Sequence, residues 1–250
     1  IPTIAHHHDF SWERPRYLTA ACQDLLSMAF PPSLPSIRHV VISSVARAEL
    51  AARRSIAATL IANVMDFDSR PPAPRVPAAR FRQDMGFGPD DPLILQQTRV
   101  VFRKGIEQAV YLLERLGLPQ ARLIVSHSRE DEGPEYGRWV TDWARRQGVP
   151  LHFISNRMAG EARDPGEADG GYALHDVYPW ADLVTYPSLY EGFGNAFLEA
   201  VYYRRPLMLN RYSVYIADIE PKGFDVVAID GYVTDEAVAA IVEYRRDRDI

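Results

Sequence analysis

Cysteine is nearly absent: Cys22 is the single thiol in 250 residues. No internal disulfide can form, and the composition fits a reducing, cytoplasmic compartment. A lone cysteine of this kind is expected as a packed core thiol rather than a nucleophile. Long apolar runs are absent too. None approaches the roughly 18 residues that a membrane-spanning helix needs. The longest, 56–65, is interrupted by Thr59 and Asn63 and reads as buried helix or strand. Positive charge is not in excess, since 28 Lys and Arg stand against 33 Asp and Glu, a net charge of −5. That balance gives no general attraction for nucleic acid, so any anionic ligand must be held by local cations and backbone amides. Peripheral contact with a membrane needs only a small patch and stays open. No G-x-G-x-x-G follows the first strand of either half, which sets aside a Rossmann-type dinucleotide enzyme. Metal-ligand spacing is missing as well: His39, His127, His152 and His175 are scattered, and no metal is expected. There is no signal peptide and no initiator Met. The opening Ile1-Pro2-Thr3-Ile4-Ala5 looks like the interior of a strand, so the chain is read as truncated, with an upstream half-domain missing.

What is present has the profile of a globular protein, 47% hydrophobic and 24% charged, long enough for one large domain or two small ones. Short β-branched runs alternate with longer helical patterns. Strands are expected at 38–43, 59–63, 92–98, 123–126, 150–155, 181–186 and 206–210. Helices are expected at 45–55, 104–116, 134–147, 173–178 and 195–203. Gly117, with Pro119 just beyond, ends the helix over 104–116. A Pro- and Arg-rich stretch, 69–77, can sustain neither helix nor central strand and is the best linker candidate. The division that follows is a partial first domain over 1–68, a linker and entry over 69–91, and a second domain over 92–250. Strands spaced by helices of this length imply an α/β fold with parallel sheets covered on both faces. Ligands then bind in the loops at the carboxyl ends of the strands. No returning C-terminal helix is visible before the chain stops at Asp249-Ile250.

Three such loops carry polar residues. In the first, over 97–105, Arg99 and Lys104 stand before a helix, where exposed amides favour phosphate. Either they close on one anion or they are solvated surface cations. The second runs Tyr186-Pro187-Ser188-Leu189-Tyr190-Glu191-Gly192-Phe193-Gly194-Asn195 into a helix that carries Glu199. Its glycines admit close approach of a ligand. Glu199, one turn into the helix, leans back toward the start. Both carboxylates can thus reach one molecule rich in hydroxyls. The plain alternative is a pair of ordinary surface acids. The third is His6-His7-His8-Asp9, whose neighbours in an extended segment point to opposite faces. A metal site, a structural histidine and a cleft-lining histidine remain the alternatives there. Nearby Phe10, Trp12 and Tyr17 fit a ring-stacking acceptor surface or an ordinary core.

Together these residues resemble the family 4 retaining glycosyltransferases of the two-domain GT-B fold. Glu191 and Glu199 form the E-x7-E element of Glu-Gly-Phe-Gly-Asn-Ala-Phe-Leu-Glu. Arg99 stands five residues before Lys104-Gly105, and Tyr-Pro-Ser-Leu precedes the first Glu. Asn63 and Asp66 look like the family's Asn-x-x-Asp link, and His8-Asp9 like its His-Asp after a first-domain strand. The resemblance implies two Rossmann-like domains, the first incomplete here, and transfer of a hexose from a nucleotide-diphosphate sugar to an acceptor hydroxyl. It implies that Arg99 and Lys104 bind the diphosphate with amides around Gly192, Phe193, Gly194 and Asn195. Glu191 would hold the transferred sugar and Glu199 the ribose. His8 would face the sugar or acceptor from the first domain. Arg157 and Met158 lie where the family's base-binding loop lies. No cofactor or metal is implied, and the partners are the nucleotide sugar and an acceptor sugar or small polar molecule. Two departures are noted: the Gly-rich loop expected early in the first domain has no counterpart, and His127-Ser128-Arg129 stands where the family more often has glycine. A GT-B sugar-nucleotide epimerase and a non-catalytic sugar-nucleotide binder are the competing readings.

Overall fold

β-branched runs become parallel strands and amphipathic stretches become helices across the residues that the computed structural model describes: 1–13, 15–19, 21–127, 134–158 and 171–246. They belong to two compact units. The smaller comprises 1–64, 190–195 and 212–224, and the larger 65–189, 196–211 and 225–250.

In the smaller unit the order is β1 (Thr3–His7), α1 (Pro15–Leu18), α2 (Gln23–Ala29), β2 (Ile37–Val41), α3 (Ser44–Arg54) and β3 (Ala58–Leu60). The strands form a parallel sheet in the order β1-β2-β3, with His7 opposite Val41 and Val41 opposite Leu60. The start of α3 is doubly capped. Ser43 accepts the Ala46 N–H through its hydroxyl at 3.1 Å, and the Asp218 carboxylate accepts the Ser44 N–H at 2.7 Å. Phe10, Val41, Ala46, Leu50 and Ile56 make the core, with Trp12 stacked on Phe10 at 4.4 Å. Phe10 and Trp12 are thus core rings, while Tyr17 is exposed. Two expectations fail here. Cys22 is exposed, because it precedes α2, a helix that buries none of its side chains. Ile61 and Val64 are also exposed, because their run leaves the sheet once β3 ends at Leu60.

The larger unit runs α4 (Ala78–Met85), β4 (Leu93–Gln96), α5 (Ile106–Leu116), β5 (Arg122–Val125), α6 (Glu135–Arg146) and β6 (Leu151–Phe153). It continues with α7 (Leu174–Val177), β7 (Leu183–Tyr186), α8 (Asn195–Tyr202, from its second residue on), β8 (Leu207–Asn210), β9 (Val227–Ile229) and α9 (Asp235–Arg246). The sheet is parallel throughout in the order β6-β5-β4-β7-β8-β9, so strand order reverses between β4 and β7. Crevices form at the carboxyl ends of strands where the order reverses in this way. Every residue of β4, β7 and β8 is buried, as a sheet covered on both faces requires. Val110 and Leu113 of α5, Val140 of α6 and Ile241 of α9 pack with Leu123 and Val125 of β5 in one core. The chain does carry a C-terminal helix, α9, preceded by β9, beyond the last strand expected from the sequence. The span 69–91 contains α4.

Arg75 ties the Pro-rich stretch down. Its backbone N–H and its Nε donate to the two oxygens of Asp176, at 2.7 and 2.9 Å. The Asp176 side chain is fully buried. Burial alone pushes that carboxyl up, but hydrogen bonds from Arg75 and from the Ala173 N–H hold it below the usual range. Because folding lowers its pKa, Asp176 stabilises the fold above the unfolded value of about 3.9, and this is lost as pH falls through the lower folded value. Arg75→Ala should cost about 1.5–3 kcal/mol at neutral pH. Urea denaturation of both proteins checks this, and the difference should shrink below about pH 4.

Candidate functional site

In the larger unit the loops after β4 and β7 are knit together by buried polar groups. Gln96, the last residue of β4, donates through Nε2 to the Lys104 carbonyl at 2.8 Å and accepts the Thr185 hydroxyl of β7 at 3.2 Å. The Leu189 N–H donates to the Arg103 carbonyl at 2.8 Å, joining one loop to the other. Asn210, closing β8, donates to the Ser188 carbonyl at 3.1 Å and accepts the Gly231 N–H at 2.7 Å. Gly105 has φ of +61°, and a Cβ there would lie 2.5 Å from the Pro187 carbonyl oxygen, so only glycine fits.

This packing decides how the cations sit. Lys104 is only 9% exposed and Arg103 6%, so Lys104 is not a solvated surface cation. Its ammonium lies 5.4 Å from the centre of the buried Tyr186 ring, a cation–π distance. Arg99 is half-buried. The helix starts later than expected. A short 3₁₀ turn, Phe102–Lys104, precedes the left-handed Gly105, and α5 begins only at Ile106. Its first amide is not exposed either, because the Ile106 N–H donates to the Tyr136 hydroxyl at 2.9 Å. Tyr136 in turn donates to Glu107.

Glu199 lies in α8, half-buried, and accepts the Tyr178 hydroxyl at 3.1 Å. Burial pushes its carboxyl above the usual range, and the Tyr178 bond offsets part of that. Arg157 ends the 3₁₀ turn Ser155–Arg157 after β6 and is exposed, while the half-buried Met158 bridges to Tyr172. A groove of about 270 Å³ runs beside this turn, lined among others by Phe87, His152, Asn156 and Arg157. A larger one, about 440 Å³, lies at the other end of the strands, between Asp91, Asp182 and Pro206, away from these loops. Asp66 accepts hydrogen bonds from the Ser69 hydroxyl and N–H and closes a local turn.

The smaller unit holds the other named residues: His8, Glu191, Gly192, Phe193, Gly194 and Asn195. A Cβ on Gly192 would run into the His8 carbonyl oxygen, so the absence of a side chain lets these two segments touch. The Phe193 carbonyl accepts the buried Tyr212 hydroxyl at 2.9 Å. Asn195 is exposed and accepts from Asn63 Nδ2 at 2.7 Å. Glu191 is half-buried. The histidine run splits as an extended segment must. The His6 and His8 rings meet at 4.6 Å, while His7 hydrogen-bonds His39 at 2.9 Å. Burial, then His39 and His6, keep His7 below its usual pKa, so it is the structural histidine, while His6 and His8 are exposed. Ser128 and Arg129 lie outside the described residues. Among the described residues no three His, Cys, Asp or Glu side chains gather as a metal site would need, and no helix is long and apolar enough to cross a membrane.

No protein-family model matches the sequence. It is 33% identical over 245 residues to the mannosylglucosylglycerate synthase of Thermotoga maritima, covering 90% of this chain and 55% of that protein. The mannosylglucosylglycerate synthase of Petrotoga mobilis is 31% identical over 249 residues, covering 92% of this chain and 57% of its own length. The chain therefore spans somewhat over half the length of the curated relatives it matches. Among solved structures, Anabaena HepE in complex with UDP-glucose superposes with a TM-score of 0.73 at 15% identity, over 99% of this chain and 64% of that one. That likeness is one of fold, the GT-B arrangement of two Rossmann-like parallel sheets.

The raised pKa of Glu199 has a stability consequence. Its favourable contribution is complete below the unfolded value of about 4.3 and lost as pH rises through the folded value. The stability of the wild type relative to Glu199→Gln should therefore decline with rising pH across that window. Thermal unfolding at several pH values measures it, and a difference independent of pH would contradict the assignment.

Proposed function

This chain is, over the span it covers, a homologue of family 4 glycosyltransferases of the GT-B fold, and we propose that it provides the donor site of a retaining, metal-independent hexosyltransferase. The observation that carries this reading is the buried Lys104, held over Tyr186 at the point where strand order reverses. Fixed in the loop beyond β4, beside the carboxyl end of β7, the ammonium is placed to add a charge-assisted contact to a diphosphate bound there.

Chemistry follows from charge. As the glycosidic bond breaks, negative charge grows on the departing diphosphate. Arg99 and Lys104, fixed in advance, favour that state over the ground state. Glu199 accepts hydroxyls of the nucleotide ribose and Glu191 those of the transferred sugar. His8 serves the sugar or the acceptor, and Arg157 and Met158 border the base. Gly192, Phe193, Gly194 and Asn195 supply main-chain amides. Retention places the acceptor's attack on the face from which the leaving group departs, and the leaving phosphate takes the acceptor proton. No protein nucleophile is assigned. The name that both relatives carry supports an acceptor of the sugar–glycerate class and a mannosyl donor.

Calorimetry with nucleoside diphosphates and their sugar conjugates, without and then with a divalent cation, tests this reading. One nucleotide should bind without metal. Lys104→Ala should weaken it by about 1.5–3 kcal/mol, roughly 10–150-fold in Kd. Unchanged affinity removes the phosphate assignment. Glu191→Gln should weaken the sugar conjugate more than the free diphosphate, and equal losses would remove the sugar-binding role.

A further inference from the structure

Tyr178 follows α7 and is completely buried. Its ring stacks on Tyr203 with centres 4.8 Å apart and planes 6° from parallel. The Tyr203 N–H is bonded to the Glu199 carbonyl at 2.9 Å, so the platform under Tyr178 belongs to the same turn that carries Glu199. Packing accounts for the ring, and phenylalanine would fill the same space. Nothing in the apolar packing accounts for the hydroxyl, which costs free energy when buried without a partner. Its partner is Glu199 Oε2, at 3.1 Å.

A glutamate side chain has several rotatable bonds, and ordering it when a ligand arrives opposes binding. One donor on one oxygen fixes the carboxylate beforehand. It leaves the remaining lone pairs of the carboxylate to accept from a ligand. Resting on the reading of Glu199 as the ribose-binding carboxylate, we infer that Tyr178 is a positioning residue that presets Glu199 for a vicinal diol. It thereby sets the preference for ribonucleotides over their deoxy counterparts. Tyr203 is the floor that holds the phenol in line.

The test measures the affinities of UDP, GDP and ADP and of their 2′-deoxy counterparts for the wild type, Tyr178→Phe, Glu199→Gln and the double variant. The wild type should prefer the ribo form of the nucleotide it binds. Tyr178→Phe should reduce that preference about five- to tenfold while the deoxy form binds nearly as before. In the Glu199→Gln background the second change should add nothing, since both act through one interaction. Full preference retained in Tyr178→Phe, with the preference lost in Glu199→Gln, overturns the positioning role and leaves the ribose assignment standing. A further loss of equal size in the double variant means damage to the fold and overturns it too. A wild type that does not discriminate, or binds none of the probes, removes the ribose assignment and the inference together.

Discussion

Lys104 carries a charge that has lost nearly all its water, and the carboxyl edge of the six-stranded sheet is organised around keeping it there. A buried ammonium is costly unless its surroundings are fixed. The Tyr186 face supplies one electrostatic partner. The Lys104 backbone is held from below by Gln96, itself held by Thr185 on the neighbouring strand. The turn carrying the lysine can approach Pro187 only because residue 105 lacks a Cβ. Gln96, Thr185 and Tyr186 lie at the ends of strands whose residues are all buried, so the edge inherits the rigidity of the sheet. Preorganisation of this kind is what separates a buried, fixed charge from a mobile surface one.

The smaller unit uses a similar economy with glycine and histidine. Gly192 gives the His8 main chain room to come close, and Tyr212 fixes the next carbonyl along. Of the three consecutive histidines, His7 is turned into the sheet against His39, which leaves His8 exposed beyond the strand end. Alternation in an extended chain produces that separation without any further device.

Strands and most helices were legible because their signals are local: buried β-branched runs, apolar spacing, and Gly117 as a stop. The start of α5 was displaced by two residues because a left-handed Gly105 interrupts what the pattern alone reads as continuous helix. The helical signal of α9 was present, with Asp235 and Glu236 in its first turn and Ala237 and Ile241 on the buried side. The supports of the site were not legible. Gln96, Asn210 and Tyr178 look like single polar residues at the ends of apolar runs, and their meaning comes from partners 8, 22 and 21 positions away. Nor does local composition reveal that 190–195 and 212–224 group with the first 64 residues rather than with their neighbours.

That grouping has a consequence for how the protein is made. The chain passes from one unit to the other at 64/65, 189/190, 195/196, 211/212 and 224/225, so neither unit is a contiguous piece of sequence. The cap on α3 closes a loop of 174 residues between Ser44 and Asp218. A ribosome that has released the first sheet has therefore not yet released the carboxylate that completes its helix. Contacts of such long separation form late. The smaller unit must wait, partly assembled, until most of the larger one has emerged, and cutting the chain at any single point between residues 65 and 224 would leave both unfinished.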